Sequence, residues 1–96
     1  MKNSKTDANI EFLFKGIITL DNVDDCRNFF EDLCTVTELA SITQRLKVAK
    51  MLTENCVYTD IAAKTGASTA TISRVNRTMS DGTKTVLERL GKIKNV

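Results

Sequence analysis

Hydrophobic residues recur every three to four positions between residues 36 and 54, which is the spacing of one face of a helix. This segment follows Thr35-Val-Thr-Glu38, in which Thr35 and Glu38 have the spacing of a capping box. The pattern therefore predicts a long helix that ends at about Glu54. Its predicted buried face consists of Leu39, Ile42, Leu46, Ala49 and Leu52 or Thr53.

Two hydrophobic segments precede this helix. The first, residues 10–20, is apolar on nearly every side, which is unusual for a surface helix of a monomer. A helix is the favoured interpretation, and a buried strand of similar length is the alternative. A second helix should follow Asp21 or Asn22, either of which can cap it. We expect the polar residues 1–8 to form a disordered arm and residues 9–96 to form a single domain.

Residues 58–79 carry the most specific pattern of the chain. Ala62 is small where two short helices would cross, Gly66 tolerates a positive φ in the turn, and Ser68 can cap the second helix. The apolar residues that would hold the second helix against the body fall in register. They are Ile61, Ala67, Ile72 and Val75. This combination predicts a helix-turn-helix, and a plain two-helix hairpin of a bundle is the alternative.

The outward positions of this unit are small, polar or basic. Such side chains can reach base edges in the major groove of double-stranded DNA and can hold phosphates. The candidate DNA-binding residues are Thr59, Lys64, Ser68, Thr69, Ala70, Ser73 and Arg77.

The distribution of charge favours the same interpretation. Residues 1–44 carry four bases and eight acids, a net charge of −4, whereas residues 45–96 carry ten bases and four acids, a net charge of +6. A basic second half suits phosphate binding, and a solvated basic face is the alternative. A last helix at about residues 83–94 should follow the break at Ser80-Asp-Gly82. Its inward residues would be Val86, Leu87, Leu90 and Ile93.

Composition narrows the class of protein further. The chain has 96 residues, no Pro and four Gly, and its β-branched residues sit at helical rather than alternating spacing, so we expect one all-α domain of about six helices. Cys26, Cys34 and Cys56 form no CxxC pair and there is no His, so we expect mostly buried thiols and no metal site. Without His, and with no Ser or Cys beside an evident base, no catalytic residues are expected.

The sequence also bears on location. No run approaches the roughly 18 apolar residues of a membrane span, and the first residues lack the apolar core of a signal peptide. We therefore expect a cytoplasmic protein that does not enter membranes.

Four stretches of the chain carry a resemblance to a known family: Leu33-Cys-Thr-Val-Thr-Glu38, Arg45-Leu-Lys-Val-Ala-Lys-Met-Leu52, Ile61-Ala-Ala-Lys-Thr-Gly-Ala67 and Ala70-Thr-Ile-Ser-Arg74. They resemble the Trp repressor superfamily, and especially its branch of small repressor-related regulators without an assigned ligand. The resemblance covers about residues 10–94. It implies an intertwined all-helical homodimer whose two helix-turn-helix units reach successive major grooves of a palindromic operator.

The resemblance further implies a slot for a small-molecule effector between two arginines, here Arg45 and Arg74. Planar guanidinium groups stack on an aromatic ring and can pair with a carboxylate. Thr35, Thr71 and Thr78 match other positions of this slot. Two other interpretations of Arg74, as a DNA contact or as a surface arginine paired with an acid, stay open.

The chain departs from the family pattern beside this slot. The family has Gly-Ser after the second arginine, where this chain has Val75-Asn76, and Val36 replaces a family Pro. A branched side chain beside Arg74 could narrow or close the slot. The departures therefore disfavour tryptophan and favour another effector or none.

The resulting prediction is a sequence-specific DNA-binding transcriptional regulator, a homodimeric repressor of a palindromic operator. One alternative is a DNA-binding subunit of a mobile-element recombinase. Such subunits usually append a coiled coil, for which residues 83–96 are too short. The other alternative is a helical protein-interaction module that does not bind DNA and docks through its acidic, aromatic first half.

Overall fold

The computed structural model describes residues 4–93, and this part of the chain contains six helices and no strand. The helices are α1 (Ser4–Ile17), α2 (Val23–Leu33), α3 (Val36–Thr53), α4 (Tyr58–Thr65), α5 (Thr69–Thr78) and α6 (Asp81–Gly91). The all-α prediction is confirmed, and the strand considered for residues 10–20 is excluded because most of that segment lies in α1. The chain forms two compact units, Met1–Leu39 and Ala40–Val96.

In the first unit, α1 begins at Ser4, within the segment 1–8 for which the sequence predicts a disordered arm. Residues 1–3 lie outside the described residues. That prediction rests on the polar character of these residues, and polarity alone does not oppose a helix. Asp7 lies in the first turn, where the helix dipole favours a negative charge.

Side-chain caps fix where α2 and α3 begin. Asn22 Oδ1 accepts a hydrogen bond of 2.8 Å from the backbone N–H of Asp25, so Asn22 is the cap of α2. At the start of α3, the N–H of Thr35 donates to Glu38 Oε1 at 2.8 Å, and the N–H of Glu38 donates to Thr35 Oγ1 at 3.0 Å. This reciprocal pair confirms the predicted capping box. The hydrogen bond from the Thr35 backbone lowers the pKa of the Glu38 carboxyl.

The second unit has one hydrophobic core, formed by the second half of α3 with α4, α5 and the turn between them. Its buried members are Val48, Ala49, Met51, Ile61, Ala67, Ile72 and Val75. Leu52, Cys56, Tyr58, Ala62, Met79 and Leu87 pack against it and are partly buried.

The buried face of α3 differs in part from the predicted face. Ala49 is buried and Leu52 is partly buried as expected, but Ile42 and Leu46 are 40% and 42% exposed. Val48 and Met51 are buried instead. The core therefore packs against the second half of α3 only, where it takes in Val48 and Met51 beside Ala49 and Leu52, and the periodicity of the sequence could not show this because it does not reveal where α4 and α5 pack.

The predictions for α6 and the cysteines also need correction. The last helix begins at Asp81 and includes Gly82, because glycine is tolerated in a first helical turn, and Val86 and Ile93 are exposed rather than inward.

Cys26 is exposed on α2, which has no buried residue, and the other two thiols are only half-buried. Within residues 4–93, no helix has the length and apolar composition needed to cross a membrane.

We expect Ile72→Ala to lower the free energy of unfolding by about 2–5 kcal/mol, because it removes a fully buried side chain from the core of the second unit. The graded control Ile72→Val should cost only about 0.5–1.5 kcal/mol. Urea unfolding followed by circular dichroism at one protein concentration measures both values. If Ile72→Ala lowered the free energy of unfolding as little as Ile72→Val is expected to, this core would not be what holds α5.

Candidate nucleic-acid interface

The turn between α4 and α5 depends on a left-handed residue. Gly66 ends α4 with a φ of 72° and a ψ of 5°, and its N–H donates to the carbonyl of Ala62 at 2.9 Å. Glycine adopts this conformation without the steric conflict that a Cβ introduces. The turn therefore redirects the chain within the three residues that separate α4 from α5, as the sequence predicted.

Ser68 caps α5. Its Oγ accepts a hydrogen bond of 3.1 Å from the N–H of Thr71, while its backbone keeps the extended conformation of an N-cap. The Ser68 hydroxyl also lies 3.1 Å from Thr71 Oγ1 and donates to it. The predicted cap is confirmed, and it fixes the residue at which α5 begins.

The predicted anchors of the helix pair are all buried. They are Ile61, Ala67, Ile72 and Val75. Ile72 and Val75 lie one turn apart on α5, so a single face of this helix enters the core. The opposite face is directed away from the core.

That opposite face carries four residues at helical spacing, which we call the outer strip: Ala70, Ser73, Arg74 and Arg77. Ser73 is half-buried and the other three are exposed. No residue of α5 is acidic. A short helix with a basic, acid-free outer face can approach a polyanion without like-charge repulsion.

The remaining candidates for DNA contact lie close to this strip in sequence. Ser68 and Thr69 stand exposed at the N-terminal end of α5, while Thr59 and Lys64 are exposed on α4. The first backbone N–H groups of a helix and its dipole favour anionic groups. In addition, both helices present exposed hydroxyl or ammonium groups that suit phosphate or base contacts.

Four of the five residues predicted for an effector site come together beside α5. Arg45 and Arg74 line two neighbouring depressions, of about 290 and about 240 Å³. Thr78 lines the larger one and Thr71 the smaller one. The fifth residue, Thr35, belongs to the first unit, where its hydroxyl serves in the capping box of α3.

The two departures from the family pattern have distinct places in the structure. Val75 is 8% exposed and lines the larger depression, so its branched side chain occupies space beside Arg74. Asn76 is exposed, and its Nδ2 donates to the hydroxyl of Tyr58 at 3.2 Å. Asn76 therefore joins α5 to the start of α4.

Sequence reasoning missed two polar contacts that join separate helices. One is the bond between Asn76 and Tyr58, and the other runs from Gln44 Nε2 to the carbonyl of Thr65 at 3.1 Å. Their partners are 18 and 21 residues apart along the chain. No local sequence pattern predicts these two hydrogen bonds, because each bond depends on how the helices pack.

A buried anchor face, a left-handed glycine turn and a capped second helix together define a helix-turn-helix protein. The family model described as "Trp repressor protein" matches residues 8–91. The chain belongs to the Trp repressor family, which is a family of DNA-binding regulators.

Individual relatives agree with this assignment. The chain is 45% identical over 85 residues to "Uncharacterized protein YerC" of Bacillus subtilis (strain 168), covering 88% of this chain and 82% of that protein. A TrpR-like protein from Eubacterium eligens ATCC 27750 has a crystal structure with a TM-score of 0.86 and 50% identity, covering 97% of this chain and all of that one. A candidate Trp repressor from Staphylococcus aureus has a TM-score of 0.86 and 43% identity over 99% of both chains.

We expect Gly66→Ala to destabilise the protein by about 1–2 kcal/mol, because a Cβ is strained at the left-handed φ of this turn. The matched control is Gly91→Ala in α6, where an added Cβ meets no atom within 4 Å. That change should be neutral or stabilise by up to about 1 kcal/mol. Thermal and urea unfolding of both variants measure the difference, and a tolerated alanine at position 66 would contradict this account of the turn.

Proposed function

We propose that the protein is a sequence-specific transcriptional regulator, a homodimeric repressor that binds a palindromic operator in the cytoplasm. The observation that carries the proposal is the two-faced character of α5. One face is held in the core by Ile72 and Val75, and the outer strip on the other side is small, basic and free of acids. In this role α5 is the recognition helix.

Each part of the outer strip suits a different contact with DNA. Ala70 and Ser73 are small enough to let the backbone of the recognition helix approach base edges closely. Arg77 is long and exposed, and a guanidinium can bind guanine or a phosphate through two parallel hydrogen bonds. Thr59 and Lys64 on α4 would hold the sugar-phosphate backbone on one side of the groove.

The homodimer is proposed from the apolar surface of the first unit. Phe12 and Ile18 are each 80% exposed, and Leu33 is 60% exposed. Large apolar side chains exposed to this extent on one unit suit an interface with a partner. A second copy would cover them with the same surface, and the two-fold symmetry of such a dimer matches a palindromic site.

The proposed regulator is controlled by a small effector. Support comes from Arg45 and Arg74, which share two depressions and have no acidic partner among residues 4–93. A ligand with a flat ring or a carboxylate would suit these guanidinium groups. Because the branched side chain of Val75 lines the larger depression beside Arg74, tryptophan is disfavoured as that ligand.

Selection from a random duplex pool tests the proposed function. The protein is incubated with the pool at low salt, and the retained DNA is sequenced over several rounds. An enriched inverted repeat with half-sites about one helical turn apart is the expected result. Retention without enrichment would contradict sequence-specific binding by the protein alone. No retention at all would contradict DNA binding and favour a protein-interaction module.

Arg77→Ala should weaken binding to the selected operator at least about threefold, because a charged contact to DNA is lost while the fold is kept. The matched control is Arg89→Ala on α6, outside the helix-turn-helix, which should leave the affinity nearly unchanged. Fluorescence anisotropy at two salt concentrations measures both affinities. An unchanged affinity of the Arg77 variant at both salt concentrations would remove this residue from the interface.

Phe12→Asp should weaken self-association at least about tenfold, since it places a charge where a large apolar side chain would be buried between two copies. Lys15→Ala, at a polar position of the same helix, is the control. Sedimentation velocity over a range of concentrations gives the association constants. A wild-type protein that stays monomeric at all concentrations would contradict the proposed homodimer.

A further inference from the structure

The side chain of Gln44 crosses from α3 to the turn of the helix-turn-helix. Its Nε2 donates to the backbone carbonyl of Thr65 at 3.1 Å, in a partly buried setting. Thr65 is the last residue of α4, where carbonyl groups no longer have partners within the helix. The bond therefore satisfies an end-of-helix carbonyl with a donor from another helix.

Other hydrogen bonds concentrate on the same residue. Thr65 Oγ1 donates to the carbonyl of Ile61 at 2.7 Å and accepts from the N–H of Ala67 at 3.1 Å. A Cβ built on Gly66 would lie 4.0 Å from Gln44 Nε2, so the amide of Gln44 lies against the turn itself. The turn is thus internally braced by Thr65 and is tied to the long helix by Gln44.

A small movement at this turn becomes larger along α5. Arg77 lies eight residues beyond Thr69, which corresponds to about 12 Å of helix. A rotation of about 10° at the turn would displace that end by about 2 Å. Hydrogen bonds to base edges tolerate only a few tenths of an ångström, whereas attraction to phosphates is long-ranged and tolerant of position.

We infer that Gln44 is a positioning residue of the recognition helix, which sets the orientation needed to read DNA sequence without itself contacting DNA. This inference rests on the proposed function. It assigns to Gln44 an effect on sequence discrimination that is larger than its effect on total affinity for DNA.

The test compares Gln44→Met with Thr43→Val. Methionine keeps the length and volume of glutamine but removes the donor. The Thr43 hydroxyl donates to Ala40 within α3 itself, so its loss removes a hydrogen bond of the same helix that does not reach the turn. Affinities are measured by anisotropy for the selected operator and for a scrambled duplex of equal length and composition.

For Gln44→Met we expect operator affinity to fall about three- to tenfold, with affinity for the scrambled duplex unchanged within about twofold. Thr43→Val should change neither. A uniform loss on both duplexes would indicate a merely structural role and overturn the inference, as would an unchanged operator affinity. Wild-type protein that selects no operator would overturn the proposed function itself, which is a distinguishable result.

Amide hydrogen exchange supplies a readout that does not need DNA. In Gln44→Met the backbone N–H groups of Gly66 and Ala67 should exchange several-fold faster, because the turn loses its tie to α3. Amides of α6 and those of Thr43→Val should exchange as in the wild type. Unchanged exchange at the turn would show that Gln44 does not hold it and would overturn the inference.

Discussion

The buried face of α5 is the constraint on which the site depends. A ten-residue helix is not stable alone in water, because its nucleation cost exceeds what its few hydrogen bonds return. Ile72 and Val75 join Ile61 and Val48 in one core, and each large apolar side chain buried there contributes about 1.5–3 kcal/mol. The same contacts that make α5 stable also decide which of its faces remains available to a partner.

In this arrangement, short-range contacts and long-range electrostatic attraction have different roles. Apolar packing and the turn fix orientation, because they act only at contact. The basic second half of the chain acts at a distance, since its net charge of +6 attracts any phosphate backbone. In the proposed function, discrimination between DNA sequences comes from the orientation of the outer strip, while charge supplies encounter and general affinity.

Local features of the site were predictable from the sequence, whereas its long-range contacts were not. Ser68, Gly66 and the Thr35–Glu38 pair follow rules that involve only neighbours three or four residues away, and the structure shows each of them as predicted. The prediction of the buried side of α3 was partly wrong, because that side depends on where α4 and α5 pack. The contact of Gln44 with Thr65 was missed for the same reason.

We propose that the recognition helices of two subunits read successive major grooves of one operator. Methylation of the selected duplex with dimethyl sulfate tests it directly, because the reagent modifies guanine N7 in the major groove and adenine N3 in the minor groove. We expect protection of guanine N7 in two patches about one helical turn apart. A single patch, or protection confined to adenine N3, would contradict it.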